Sequence, residues 1–174
     1  MRAQFPGGDR SGGFHRILCP TDFTSLAETG VDRAAALAAR EGAELVLVHV
    51  LAPLTTYVVP EMAGSVLIGF EGQWREEARE QLRRLRDRVR VSGVPTHTVL
   101  VQGYAPDQIA RAAQRLRCDL IVLATHGRTG LSRLLLGSVA EALIRRAPCP
   151  VLAFRPPQPA RARREAVGHL KAAA

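Results

Sequence analysis

The chain has 174 residues, 47% of them hydrophobic and 23% charged, with a formal charge of +8; that is enough chain for one buried core and too apolar a mix for wholesale disorder. The charge gathers at the ends. Residues 155–174 hold Arg155, Arg161, Arg163, Arg164 and Lys171 against Glu165, residues 1–13 hold Arg2 and Arg10 against Asp9, and the middle retains +3, which argues against a phosphate-backbone groove and against a nucleic-acid partner.

Residues 1–13 lack the apolar core of a secretory signal and are expected to form a flexible segment ahead of a domain at 14–156. "HRILCP" at 15–20 is a short apolar run meeting a turn, the first predicted strand. "SLAETGVDRAAALAAREG" from Ser25 is helical, with Ser25 and Glu28 read as a capping box and Gly42 as the stop. "AELVLVHV" at 43–50 suits a strand covered on both faces. Residues 51–70 are as long as a membrane span, but Pro53, Pro60, Glu61, Gly64 and Gly69 interrupt them. An apolar flap or contact surface is expected there, and no membrane partner.

A helix is predicted over about residues 72–91, its Arg residues interleaved with Glu76, Glu77, Glu80 and Asp87 at offsets that suit exposed pairs. Then come a third strand, "THTVLVQ" at 96–102, and a third helix with Ile109, Ala112, Ala113 and Leu116 inward. "DLIVLAT" is the fourth strand, a short helix covers about 139–146, and "CPVLAF" is the fifth strand. Residues 157–174 read as a basic Pro/Arg/Ala-rich tail. The three cysteines, Cys19, Cys118 and Cys149, have no C-x-x-C spacing and read as buried thiols of a reducing compartment; a cytoplasmic location is expected.

Strands alternating with helices predict an α/β fold: a doubly wound, Rossmann-like, five-stranded parallel sheet with right-handed crossovers. Ligands of such sheets bind beyond the strand C-termini where the order reverses. If the order reverses between the first and fourth strands, two loops meet there, "PTDFT" (20–24) and "THGRTG" (125–130), and the stretch that follows the second lines the site.

"LATHGRTGLSRLLLGS" (123–138) is the stretch with most chemical content. Gly127 and Gly137 bracket nine residues, and Ser138 with Glu141 reads as a second capping box opening the last helix. Free amides and a positive dipole end make a helix N-terminus an anion site, and glycines let backbone approach a phosphate chain. The spacing is not that of a P-loop, because the stretch contains no Gly-Lys-Ser/Thr, nor is it that of G-x-G-x-x-G. No histidine lies in a metal-ligand spacing, so no structural metal is expected.

"PTDFT", "LVHV" and "THGRTGLSRLLLGSVAEALIRRAPCPVL", in that order over about residues 14–156, resemble the universal stress protein family. The nucleotide-binding branch of that family carries G-x-x-G, nine residues, then G-S/T; this chain has Ala124-x-x-Gly127, nine residues, Gly137-Ser138. Ala124 is the departure: its methyl is harmless in an ordinary conformation and costs on the order of 1 kcal/mol at positive φ. The resemblance implies an ATP-binding α/β domain, with Mg²⁺, of adenine nucleotide α-hydrolase-like fold and strand order 3-2-1-4-5, that pairs into homodimers. Pro20, Thr21 and Asp22 would lie near adenine and ribose, Asp22 accepting from ribose hydroxyls, and Val50 would touch adenine. Leu123, Ala124, His126 and Gly127 would line the ribose and first phosphates. Gly137, Ser138, Val139 and Ala140 would serve the distal phosphates; apart from the resemblance, Arg128 and Arg133 carry the charge and length to reach phosphates.

Plainer roles are open for the same residues. Asp22 could hold an Asx turn, His126 a loop, and Ser138 its own helix, while Arg128 and Arg133 could meet solvent. Three functions therefore compete. The first is an ATP-binding stress-response sensor or adaptor, not a catalyst by evident design and at most a slow ATPase. The second is a nucleotide-free dimeric interaction module using the flap and the uncharged last strand, residues 150–154, as a pairing edge with unknown protein partners. The third is an ATP-using enzyme, which would need a further substrate site.

Overall fold

The computed structural model describes residues 13–53, 65–125 and 137–155. In chain order these form β1 (Arg16–Pro20), α1 (Ser25–Glu41), β2 (Glu44–Leu51), α2 (Ser65–Arg90), β3 (Thr96–Gln102), α3 (Ala105–Arg115), β4 (Leu120–Ala124), α4 (Ser138–Arg146) and β5 (Val151–Phe154). All strand pairings are parallel, and the sheet runs β3-β2-β1-β4-β5 as expected. Ile17 pairs with Leu45 on one side and Leu120 on the other, so β1 sits at the centre and the order reverses between β1 and β4.

Alternation along each strand splits the core into two layers. Ile17, Cys19, Leu45, Leu47, Leu120 and Val122 face α1 and α2, where Val31, Ala34, Ala38, Leu82, Leu85 and Val89 meet them. Leu18, Val46, Val48, Ile121 and Leu123 point the other way, onto Ile109, Ala112 and Ala113 of α3 and Ala140 and Leu143 of α4. Continuous apolar runs are what a strand covered on both faces requires. Small residues let α1 lie close to β4: a Cβ added to Gly30 would stand 3.2 Å from the Ala124 backbone nitrogen.

Two expectations need correction here. The N-cap of α1 is Thr24, not Ser25; the Thr24 hydroxyl accepts from the Ala27 amide at 3.2 Å, so Ser25 lies inside the first turn and no Ser25–Glu28 box forms. Gly42 ends the helix in the left-handed conformation as read from the sequence. The second helix starts at Ser65 rather than near residue 72, which takes the end of the supposed flap into α2. Gly69 and Gly72 weaken a helical reading, but neither excludes a helix that has a sheet to pack on. Residues 54–64 of that segment lie outside the described residues.

The Arg/Glu interleaving of α2 forms the expected surface pairs, Arg83 with Glu76 and Glu80, Arg84 with Glu80, and Arg75 with Glu71. Arg88 crosses to Glu28 and Asp32 of α1. Exposed pairs of this kind contribute little stability each. Cys19 and Cys118 are buried as expected, whereas Cys149 is half-buried. Burial is the main reason all three thiols are held above their usual range, Cys19 and Cys118 at about 12 and Cys149 at about 11. Among the described residues no helix is long and apolar enough to cross a membrane.

Candidate functional site

At the C-terminal ends of β1 and β4, where the strand order reverses, a cleft of about 300 Å³ opens. The first loop supplies one wall. Pro20 ends β1, the Thr21 amide donates to the Val48 carbonyl at 2.9 Å, and the chain then turns into α1. Asp22 Oδ1 accepts from the Thr24 amide at 3.0 Å and from the Thr24 hydroxyl at 2.6 Å, an Asx turn that orders the helix cap. Asp22 is exposed, and its Oδ2 makes no hydrogen bond among the described residues. One carboxylate oxygen thus holds the turn and leaves the other to solvent or a ligand.

The opposite wall is the start of α4. Gly137 is its N-cap, with φ 85° and ψ 142°, and among the described residues no side chain caps the helix. The first helical bond runs from the Glu141 amide to the Gly137 carbonyl at 3.0 Å. The expected Ser138–Glu141 capping box is therefore absent: Ser138 is the first helical residue, and the Glu141 carboxylate instead accepts from Arg145 at 2.9 Å. The physical reason is the glycine, whose positive φ lets it take the cap position and leaves Ser138 inside the first turn. The amides of Ser138, Val139 and Ala140 precede the first intrahelical bond and lie at the partial positive end of the dipole.

Between the walls the floor is apolar, from Val48 and Val50 of β2, Leu123 and Ala124 of β4, and Ala105 and Ile109 of α3. Pro20, Thr21, Asp22, Val50, Leu123, Ala124, Gly137, Ser138, Val139 and Ala140, all singled out in the sequence, line this one cleft. His126, Gly127, Arg128 and Arg133 lie outside the described residues. Ala124 is an ordinary strand residue paired with Phe154, and it is not among the described non-glycine residues at positive φ, which are Phe23 and Arg117. Its methyl lies 3.5 Å from where a Gly30 Cβ would stand, on the α1 side of β4.

Sequence reasoning missed two residues of the first loop's support. Phe23 has φ 63°, unfavourable for a bulky side chain, and its ring stacks on His49 with centroids 4.3 Å apart and planes 30° apart. His49 Nδ1 is 2.8 Å from the Thr21 carbonyl. A carbonyl only accepts, so Nδ1 carries the hydrogen. Burial lowers the His49 pKa below the ordinary imidazole value, against the upward pull of the Thr21 bond and of Asp22. The sequence carried one usable signal, a polar residue closing an apolar strand at its ligand end, "VHV".

A cleft with an apolar floor, a carboxylate on one rim and a helix N-terminus on the other suits a flat apolar ring joined to a hydroxyl-bearing and anionic chain. The chain matches the universal stress protein family over residues 13–155. It is 32% identical to a universal stress protein of Methanocaldococcus jannaschii over 152 residues, 83% of this chain and 84% of the relative. It is 34% identical to universal stress protein A homolog 1 of Coxiella burnetii over 140 residues, 80% of this chain and 95% of the relative. The solved universal stress protein UspA of Lactobacillus plantarum superposes with a TM-score of 0.69 at 26% identity, covering 82% of this chain and 99% of that one. Two solved universal stress proteins at 23% identity, one in complex with cAMP and one from Archaeoglobus fulgidus with dAMP, share the fold with TM-scores of 0.63 and 0.56. Strand order, cleft position, motif and relatives converge, and the chain belongs to the universal stress protein family.

Proposed function

We propose that this protein binds ATP, with Mg²⁺, at the β1/β4 cleft and acts as a nucleotide-dependent sensor or adaptor in a stress response. The observation that carries the reading is the convergence, across one cleft, of the Asp22 loop and the uncapped start of α4 on an apolar floor. Family members solved with cAMP and dAMP support an adenine nucleotide as the class of ligand. Val50 and Leu123 would flank adenine, Asp22 Oδ2 would accept from ribose, and the amides of Ser138 to Ala140 would meet the phosphates. Mg²⁺ would ride on the phosphates; among the described residues no group of three or more His, Cys, Asp or Glu could hold a metal by itself. Bound nucleotide supplies negative charge at the α4 terminus, and the protein's part is to orient it and to present a changed surface.

Turnover is expected to be slow at most. Hydrolysis needs an oriented water, a group to position it and neutralised γ-phosphate charge. Asp22 and His49, the titratable side chains on the described lining, both serve to hold the first loop.

A homodimer through the last strand belongs to the same proposal. β5 is an edge strand without charge, Leu152 on it is 46% exposed, and Ile144 on the adjoining helix is 51% exposed. That surface also favours the second reading, a dimeric module that needs no nucleotide. Denaturing the purified protein and identifying the released small molecules by chromatography and mass spectrometry tests the two. Near-stoichiometric ATP or ADP supports the first. An empty protein that gives no heat with ATP and Mg²⁺ favours the second.

A further inference from the structure

We infer that His49 is the positioning residue of the nucleotide cleft: from β2 it holds the Thr21–Asp22–Phe23 turn in the conformation that presents Asp22 to a ligand. The inference rests on the nucleotide reading above. Three contacts carry it. Nδ1–H donates to the Thr21 carbonyl at 2.8 Å, the ring stacks on Phe23 at 4.3 Å, and the same side chain lines the cleft. The turn between them is not one the backbone would choose unaided, because Phe23 sits at φ 63° and its amide is turned onto the Thr21 hydroxyl at 3.1 Å. Such a conformation persists only where surrounding structure over-determines it. The Asx turn of Asp22 acts from the helix side. His49 acts from the sheet side, on the residues before and after Asp22. With both in place the turn is held from two sides, and Oδ2 is the carboxylate oxygen left for a ligand.

Two substitutions separate the ring from the donor. His49→Phe keeps an aromatic face for Phe23 and removes the donor; His49→Asn keeps a donor at the position of Nδ1 and removes the ring. Binding of ATP and of 2′,3′-dideoxy-ATP, each with Mg²⁺, is measured by calorimetry for both variants and the wild type. Wild type is expected to prefer ATP, through the ribose hydroxyls. His49→Phe should lose about tenfold in ATP affinity, the scale of one lost hydrogen bond, and its preference over the dideoxy analogue should shrink. His49→Asn should recover most of that preference. Equal loss for both nucleotides, or ATP binding by His49→Phe within about twofold of wild type, overturns the inference. Wild type that binds neither nucleotide overturns the nucleotide reading itself, a separable result. Imidazole ¹⁵N spectra of the wild type test the same geometry without any variant: the His49 ring should be the Nδ1–H tautomer near neutral pH, and the Nε2–H tautomer would refute the proposed bond.

Discussion

Gly137→Ala places a single methyl at the junction on which the phosphate assignment depends. Among the described residues a Cβ there would meet nothing within 4 Å, so the expected effect comes from the backbone. At φ 85° and ψ 142° the residue lies near a region open almost only to glycine, and holding Ala there costs roughly 1–3 kcal/mol. The chain can bear that strain as lost stability or relieve it by rotating residue 137, which swings the amides of Ser138, Val139 and Ala140 away from the cleft. Relief of about 2 kcal/mol at the expense of ligand contacts corresponds to about 30-fold in Kd. Calorimetric titration with ATP and Mg²⁺, paired with urea denaturation, reads both quantities. Gly42→Ala is the control: φ 67°, equally open space among the described residues, and a place at the far end of α1. It should lose about 1 kcal/mol of stability with ATP affinity unchanged. If Gly137→Ala lowers stability while binding ATP as the wild type does, the cradle assignment is wrong. If neither quantity moves, the strain argument is wrong.

Gly30→Ala should destabilise, against its helix propensity. Propensity favours Ala by about 1 kcal/mol, but the new Cβ would stand 3.2 Å from a backbone nitrogen of a central strand, and overpacking of that kind costs about 1–3 kcal/mol. A urea midpoint above that of the wild type would show that α1 has room to move. Leu152→Asp should turn a dimer into a monomer in sedimentation or light scattering, since it puts a charge on the β5 edge; an unchanged mass would locate the contact elsewhere. The thiols give an alkaline signature. Cys19 is raised from 9.0 to about 12 in the fold, so the stability it contributes is complete below about pH 9 and is lost as pH rises toward 12. In the native protein Cys149, half-buried, should react with a thiol reagent first and Cys19 last; early reaction of Cys19 would contradict its burial.

How legible each feature was depended on how local its cause is. The five strands were readable because a parallel sheet covered on both faces needs unbroken apolar runs, and "RILCP", "ELVLVHVL" and "LIVLA" are such runs. The helix caps were less so. Thr24 and Ser25 are adjacent hydroxyl residues, and which one caps is decided by where φ and ψ switch to helical values. At α4 a positive-φ glycine took the cap, which left Ser138 inside the helix. The early start of α2 was hidden because Gly69 and Gly72 lower local propensity, which packing overrides. His49 went unassigned for a different reason: its partners, Thr21 and Phe23, lie 28 and 26 residues away in the chain.

By itself, the sequence determined the α/β class and the parallel sheet from periodicity, and the family, with its strand order, from short motifs. Periodicity and motifs are read from residues close together in the chain; the strand order joins segments far apart, Ile17 beside Leu120, and was legible only through the family resemblance. Tertiary structure alone decided that Ala124 sits in ordinary strand geometry against a glycine on α1, that Ser138 is not a cap, and that His49 braces the Asp22 turn. The first and third depend on segments that the chain brings together only after folding, and the second on the φ and ψ that Gly137 adopts in the folded chain.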